Sequence, residues 1–175
     1  MSIYVVHHGE TVDAMLDRLS APDVALTALG ENQALQAAED LAGKLVFDSV
    51  ARIISSPRVR TLRTAAIMAE YFNLSEDNMQ TDERLLERNL KSFIGQRRKR
   101  IMAMPEETLV QYGAEPRATF AARNYAVLAD ASYANGVTVL VTHQGNLPPL
   151  FEAAVAPVPT SLPATQALLL YDQLG

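Results

Sequence analysis

The sequence predicts an α/β fold, a three-layer sandwich in which helices flank a mostly parallel central sheet. Short β-branched, apolar runs alternate along the chain with segments of helical periodicity, which is the order that parallel sheets require. The run over 137–142 is apolar throughout, as in a strand covered on both faces. With 175 residues, of which 49% are hydrophobic, the chain can bury the core of one domain over 1–175.

The individual elements follow from apolar spacing and from proline positions. Pro57 ends one strand and suits the first turn of the next helix. In the first two helices we expect Leu29, Leu35, Val59 and Leu62 to face the core together with several alanines. The segment 73–116 is less regular, and 156–163 is a proline-rich loop. We predict strands over 3–7, 53–56, 79–81, 137–142 and 166–171, and helices over 27–45, 58–72, 116–134 and 148–155.

Composition excludes several classes of protein. The net charge of -5 argues against general nucleic-acid binding. No apolar run approaches the roughly 18 residues of a membrane span, and the N-terminus does not resemble a signal peptide. The chain has no cysteine, hence neither disulfides nor a thiolate metal site. These features are compatible with a cytoplasmic protein whose partner is a small anionic molecule rather than a nucleic acid or a membrane.

All three histidines lie directly after predicted strands. His7 and His8 precede a glycine at the end of the first strand, and His143 follows the strand over 137–142. Ser55-Ser56 occupies the same place after a third strand. Because ligands of parallel sheets bind beyond the carboxyl ends of the strands, we expect these side chains to meet in one cleft.

Five motifs in order make the chain resemble the histidine phosphatase superfamily, in its phosphoglycerate mutase-like branch. The family opens with a strand and Arg-His-Gly-Glu-Thr, and it later carries Leu-Thr-x-x-Gly-x-x-Gln-Ala, Ser-Ser-Pro-x-x-Arg-x-x-x-Thr-Ala, Leu-x-Glu and Thr/Ser-His-x-Gly. The corresponding segments here run over 7–11, 26–34, 55–65, 85–87 and 142–145. The resemblance covers nearly the whole chain and implies a phosphoglycerate mutase-like fold.

The resemblance also implies a role for each matching side chain. His8 would be the nucleophile, Glu87 the acid that protonates the leaving oxygen and later activates water, and His143 a further catalytic donor that works best when protonated. Phosphate contacts would come from Arg60, His7 and Gln144, because phosphoryl transfer depends on positioning and charge stabilisation. The scheme needs neither a cofactor nor a metal. The substrate would be a small phosphorylated or anionic molecule.

Two positions depart from the family pattern. His7 replaces the arginine before the nucleophile, and Ala14 stands where the family often has asparagine. Loss of one arginine–phosphate contact would cost roughly 1.5–3 kcal/mol, which a protonated His7 could offset in part, so we expect better activity on the acidic side of neutral. Three alternatives stay open: an inactive anion-binding relative, another acid–base reaction on the same scaffold, and a zinc site formed by the three histidines.

The most concentrated charge is the run Arg97-Arg98-Lys99-Arg100. It predicts either a solvated helical face or a basic rim that attracts an anionic substrate. The run lies inside 89–113, the segment that could serve as a lid. The mutases of the family that the chain resembles have longer insertions over the site, so the resemblance implies that water is the phosphoryl acceptor.

Overall fold

Within the residues that the structure describes, five parallel strands form the central sheet. The computed structural model describes residues 2–45, 49–132, 136–155 and 168–171. The strands lie side by side in the order β3-β2-β4-β1-β5, and every neighbouring pair is parallel. They are β1 (Ser2–His7), β2 (Val50–Ser55), β3 (Met79–Thr81), β4 (Val137–Thr142) and β5 (Leu168–Tyr171). The predicted parallel sheet is confirmed.

The register of the sheet brings the ends of three strands to the same edge. His7 of β1 lies beside Thr142 of β4, and Ser55 of β2 lies beside Val141. The ladder continues one step further on both sides of β4, because the His8 N–H donates to the Thr142 carbonyl and the Ser56 N–H donates to the Val141 carbonyl, at 3.1 and 2.9 Å. Residues 8, 56 and 143 therefore directly follow the ends of three adjacent strands, at the same edge of the sheet.

Helices cover both faces of the sheet. Alternate strand residues point to opposite faces, so Tyr4 and Val6 pack against one helical layer while Ile3 and Val5 pack against the other. The first layer contains α2 (Ala28–Lys44) and α3 (Val59–Tyr71), and the second contains α6 (Arg117–Ala131) and α7 (Leu147–Val155). This arrangement confirms the three-layer sandwich. No helix within the described ranges is long and apolar enough to cross a membrane.

Small side chains, rather than the largest apolar ones, form the buried faces of α2 and α3. The prediction for Leu29, Leu35, Val59 and Leu62 was wrong, because all four are exposed. The two helices pack against each other and the sheet through residues that allow close approach. Those residues are Ala34, Ala37, Ala38 and Leu41 on α2 and Thr61, Thr64, Ala65, Met68 and Ala69 on α3.

The connecting segment after β3 has more structure than its sequence indicates. It contains the short helices α4 (Arg98–Met102) and α5 (Glu106–Gln111), and another short helix, α1 (Val12–Met15), follows β1. Leu19 joins the segment through two backbone hydrogen bonds, to Gln96 and from Gly95. A separate small core holds it together, formed by Leu19, Leu90, Phe93, Ile101, Leu109 and Ala114.

Some predicted elements reach beyond the described residues. The helix predicted over 116–134 is seen as α6 with Ser132 at its end, and the last strand is seen over 168–171. The loop predicted over 156–163 lies outside the described ranges.

Candidate active site

A contact between two glycines holds the loop that carries His8. A Cβ on Gly9 would lie 2.0 Å from the Gly30 carbonyl oxygen, and a Cβ on Gly30 would lie 2.2 Å from the Glu10 carbonyl oxygen. Thr27 caps α2 by accepting from the Gly30 N–H, and its hydroxyl donates to the Glu10 carboxylate. The Gln33 side chain accepts from the Glu10 N–H at 2.8 Å. The Thr-x-x-Gly-x-x-Gln motif thus positions the histidine loop.

The His8 ring has the tautomer that a nucleophile requires. Its Nδ1 lies 2.7 Å from the Gly9 carbonyl oxygen, which can only accept, so Nδ1 carries the proton. Nε2 then keeps its lone pair and accepts from Arg60 Nε at 3.1 Å. Burial lowers the pKa of His8 well below its usual value, with further lowering by the charges of His7, Arg60 and Arg98, while the Gly9 hydrogen bond opposes the shift. The ring is neutral at pH 7.

Arg60 connects the other groups of the site. Its side chain is 1% exposed, so its charge is almost wholly removed from water. Besides His8, the guanidinium donates to the Ala21 carbonyl, to the Glu87 carboxylate and to Nδ1 of His143, at 3.0, 3.1 and 3.2 Å. Burial lowers the pKa of Arg60, and the negative charge of Glu87 opposes this shift. A buried guanidinium with several donors at the ends of strands is well placed to receive an anion.

His143 shares the pocket with His8. The two ring centroids lie 5.3 Å apart in an edge-on arrangement. Because Arg60 donates to Nδ1, the remaining proton resides on Nε2, which lies 2.9 Å from the Ser56 hydroxyl oxygen. Burial and the charge of Arg60 lower the pKa of His143 well below its usual value. His143 is therefore neutral in the free protein.

Glu87 lies at the mouth of the site, with its side chain 30% exposed. The backbone that carries it is held by side chains from distant parts of the chain. Arg123 donates to the carbonyls of residues 84, 86 and 87, and Asn146 donates to those of residues 85 and 86. The Thr142 hydroxyl donates to the Leu85 carbonyl at 2.8 Å. These contacts place the carboxylate next to Arg60.

The remaining predicted residues take different places. The ring centroids of His7 and His8 lie 4.3 Å apart, and β1 ends at His7. Gln144 is exposed, in the turn after His143. Ala14 lies in α1, where its N–H donates to the hydroxyl oxygen of the N-cap residue Thr11. The structure therefore brings His7, His8, Arg60, Glu87 and His143 together and leaves the Gln144 side chain at the surface.

The side chains of the basic run differ in their surroundings. The positive charge of Arg98 contributes to the low pKa of His8, so it acts on the site. Arg97 and Arg100 instead line a shallow cavity of about 360 Å³ with Arg18. In the part of the chain that the structure describes, no group of three or more histidine, aspartate or glutamate side chains is placed to hold a metal ion.

Several functional contacts were given no specific role in the sequence interpretation. Ser56 belongs to a recognised motif, but only its position after β2 suggested that it faces the cleft. Thr64, which accepts from the Gly9 N–H and donates to the Arg60 carbonyl, lies one helical turn after Arg60 and could have been found from that spacing. Arg123 and Asn146 act through contacts across the fold and leave no local pattern.

The parallel sheet between two helical layers places this protein in the phosphoglycerate mutase-like class of α/β folds. A phosphoglycerate mutase from Bacillus anthracis has this fold, with a TM-score of 0.71, 18% identity, and coverage of 88% of this chain and 79% of that one. Residues 3–165 match the model of the histidine phosphatase superfamily (branch 1). The chain therefore belongs to that superfamily, as its motifs indicated.

Other solved structures have the same fold. A mycobacterial glucosyl-3-phosphoglycerate phosphatase in complex with VO3 is 29% identical, with a TM-score of 0.70 and coverage of 88% of this chain and 82% of that chain. The Bacillus stearothermophilus protein YhfR is 24% identical, with a TM-score of 0.70 and coverage of 88% and 80%, and it supports the fold alone. No curated protein sequence matches the chain.

Proposed function

We propose that this protein is a metal-independent phosphatase that hydrolyses a phosphomonoester through a phosphohistidine on His8. The observation that carries the proposal is the His8 ring, whose Nδ1 proton is bound by the Gly9 carbonyl and whose Nε2 lone pair faces Arg60. Membership of the superfamily and the phosphatase among the similar structures support the same class of reaction.

The reaction proceeds in two displacements. His8 Nε2 attacks phosphorus, a P–N bond forms, and the ester P–O bond breaks as Glu87, which takes up a proton from solvent when the phosphate dianion enters, gives that proton to the leaving oxygen. Water then attacks phosphorus, Glu87 takes a proton from that water, and the P–N bond breaks to release inorganic phosphate. Glu87 thus returns to its acid form, and His8 becomes neutral again.

Arg60 and His143 stabilise the transferring group. The guanidinium, which contacts both rings and Glu87 in the free protein, exchanges its bonds to the rings for bonds to phosphate oxygens. An incoming phosphate dianion also favours the protonated form of His143. His143 is therefore a neutral ring before binding and a charged donor once the phosphate has entered.

His7 and Arg98 supply positive charge where the family has an arginine. The His7 ring lies against His8, and the charge of Arg98 acts on His8 as well. The His7 imidazole lacks the two parallel donors of a guanidinium, and Arg98 does not directly precede the nucleophile in the sequence. We therefore expect a slower enzyme than one with the usual arginine. The segment over 89–113 remains the candidate lid.

The test is rapid-quench labelling with ³²P-labelled 4-nitrophenyl phosphate, followed by alkaline denaturation, because phosphohistidine is stable in base and labile in acid. The native protein should carry acid-labile label, and His8→Ala should carry none and show no turnover. His7→Ala is the matched control and should still become labelled. Turnover by the His8→Ala protein would contradict the proposal.

A second candidate is an anion receptor without catalysis, which the replacement of the family's arginine by His7 specifically favours. Its sign would be tight binding of inorganic phosphate, measured by calorimetry, together with neither label nor turnover. A different acid–base reaction on the same groups would instead give an active protein that is insensitive to vanadate.

A further inference from the structure

A separate cavity lies outside the phosphate pocket that His8, Arg60 and His143 form. It has a volume of about 360 Å³, within the range of roughly 300–1,000 Å³ that is usual for small-molecule sites. None of the three pocket residues contributes to its wall. The wall consists of Leu16, Arg18, Gly95, Gln96, Arg97 and Arg100. We call this space the arginine cavity.

The charges in the wall of the arginine cavity are all positive. Three of its residues are arginines, and no acidic residue belongs to the wall. Within the described ranges, the guanidiniums of Arg18, Arg97 and Arg100 form neither ion pairs nor hydrogen bonds. All three residues are exposed, so a dissolved anion can reach them. Because like charges repel one another, an anion bound between them would relieve this repulsion.

Other arginines of the connecting segment and of α6 already have a carboxylate partner. They are Arg84, Arg88, Arg117 and Arg123, each paired with an aspartate or a glutamate. Acidic residues outnumber lysine and arginine in the chain by 20 to 15, so carboxylates are not scarce. The described structure nevertheless pairs none of them with Arg18, Arg97 or Arg100. A role in holding the fold would call for such a partner, so the unpaired charge at this cavity indicates a ligand.

The backbone, and not contacts between side chains, brings the three arginines together. Arg18 and Arg97 lie opposite each other in an antiparallel bridge, an arrangement that puts both side chains on the same face. Beside them, the Leu19 N–H donates to the Gln96 carbonyl at 3.0 Å. Arg100 follows Arg97 by three positions at the start of α4, a spacing that also places two side chains on one face. An incoming anion therefore meets three donors whose backbone positions the fold already fixes.

We propose that the arginine cavity binds a compact anion with about three negative charges, such as a small molecule that carries two phosphate groups. A single phosphate group carries at most about two negative charges. The planar fork of arginine matches pairs of phosphate oxygens, and three forks can serve two phosphate groups at once. The ligand is additional to the substrate, because the cavity lies outside the phosphate pocket. The proposal therefore does not depend on the phosphatase activity.

Calorimetry with methylenediphosphonate tests the site, because its P–C–P linkage resists hydrolysis. Methylphosphonate is the comparison with a single charged group, and the two are compared in Arg60→Lys, so that binding in the phosphate pocket is weakened. The diphosphonate should bind with a Kd that is lower by about ten-fold or more, as expected for additional charge-assisted contacts. The native protein should show a site of the same affinity, and the diphosphonate should raise the Tm of both proteins.

Removal of the three guanidiniums should remove most of this affinity. The triple variant with Arg18→Gln, Arg97→Gln and Arg100→Gln should raise the Kd for the diphosphonate by about thirty-fold, at about three-fold for each exposed charged contact. Its turnover of 4-nitrophenyl phosphate should stay within about two-fold of that of the native protein, because the cavity is separate from the phosphate pocket.

A second triple variant controls for the change in net charge. It carries Lys44→Gln, Arg63→Gln and Lys99→Gln, which also remove three positive charges, and none of these residues belongs to the cavity wall. Lys99 is the closest match, because it lies in the same basic run as Arg97 and Arg100. Since exposed charges outside the cavity are screened by salt, this variant should raise the Kd by less than about three-fold.

Three outcomes would overturn the proposal. A diphosphonate that binds no more tightly than methylphosphonate would show that the guanidiniums do not act together. Equal losses of affinity in the two triple variants would show a diffuse attraction by positive charge, and loss of the site in Arg60→Lys would place the anion in the phosphate pocket. Labelling at His8 bears only on the proposed phosphatase, so either proposal can fail while the other holds.

Discussion

The pocket around His8, Arg60 and His143 and the neighbouring cavity of about 600 Å³, whose wall includes Arg58 and Lys91, are built in opposite ways. In the pocket, Arg60 is almost completely buried and every group contacts another, through backbone positions that the sheet register sets. In the cavity, the wall comes from the connecting segment after β3, and two cations have no partner among the described residues. In the pocket the side chains contact one another before any ligand binds, whereas in the cavity two cationic side chains are available to contact a ligand.

This difference matches the two tasks that a phosphatase of the proposed kind must perform. Phosphoryl transfer is faster when the catalytic groups are already in position, because their reorganisation during the reaction would raise the activation barrier. Recognition of the leaving group needs only complementary charge and space, which a connecting segment can change without disturbing the sheet. The following predictions test this separation, beginning with the largest expected effect.

Glu87 belongs to both regions, and Glu87→Gln should separate its chemical role from its position. Glutamine keeps the size and accepts from Arg60 but cannot deliver a proton. We expect kcat to fall by about 10²–10⁴-fold for alkyl phosphates. The loss should be much smaller for 4-nitrophenyl phosphate, whose leaving group needs little protonation.

Steady-state kinetics over a series of leaving groups measures this effect. Glu76→Gln is the control, an exposed residue that should change kcat less than two-fold. Equal losses for good and poor leaving groups would show that Glu87 does not act as the acid.

Arg60→Lys should show that the pocket needs the planar donor and not only a positive charge. Lysine keeps the charge but cannot contact His8, His143 and Glu87 from one plane. We expect kcat to fall by about 10²–10³-fold, as for the loss of one positioned donor.

Arg63→Lys is the matched control, one helical turn away on α3, exposed and paired with Glu31. It should change kcat less than two-fold, and thermal unfolding should be followed for both variants. Comparable activity of the two variants would contradict the central role of Arg60.

His7→Arg tests the weakest part of the pocket. Imidazole changes its charge between pH 5 and 8, whereas guanidinium does not. We expect kcat/KM to rise by about ten-fold at pH 8, corresponding to one charged hydrogen bond in the transition state. A gain that shrinks toward pH 5.5 would show that a protonated imidazole supplies part of the same charge.

The measurement is the pH profile of kcat/KM for both proteins with 4-nitrophenyl phosphate. His7→Gln controls for the loss of the imidazole without a new charge. Lower activity of the arginine variant at every pH would show that His7 has a task that arginine cannot perform.

Much of the fold and the centre of the site could be predicted because their signals are local. A strand followed by His8-Gly9, or Ser56-Pro57 before a helix, is contained within a few residues. The parallel sheet then brings these ends together, and the structure joins His8, Arg60 and His143 as the motifs implied.

What could not be predicted depends on contacts between distant residues. Arg123 supports Glu87 across about three dozen positions, and Leu19 pairs with Gln96 to attach the connecting segment. The buried faces of α2 and α3 were misjudged for a similar reason. Tertiary packing favours alanine where two helices approach closely, and it leaves Leu29 and Leu35 in solvent.

The smallest expected effect is on the free energy of unfolding, which the two regions should influence in different pH ranges. The pKa values of His8 and His143 are well below the usual 6.5 in the folded protein. Below about pH 6.5 the unfolded chain therefore binds more protons than the folded one, and the free energy of unfolding falls until the folded pKa values are reached. Each unit of pKa depression corresponds to about 1.4 kcal/mol.

The carboxylates around the cavity affect the free energy of unfolding at lower pH than the histidines do. Hydrogen bonds from Arg84 lower the pKa of Asp82, and bonds from Arg123 lower that of Glu115 despite its burial. Their contribution is complete above the ordinary carboxyl values and is lost only as the pH falls through about 4.5 and below.

Urea unfolding measured between pH 8 and 4 should resolve the two ranges. In His143→Gln, the free energy of unfolding should fall less between pH 6.5 and 5 and should still fall below pH 4.5. In Glu115→Gln, it should still fall between pH 6.5 and 5 and should fall less below pH 4.5. If His143→Gln leaves the slope above pH 5 unchanged, the imidazole is not kept neutral by burial. The pocket would then take up a proton before a phosphate arrives, and the contrast between an organised pocket and a cavity with free charge would no longer hold.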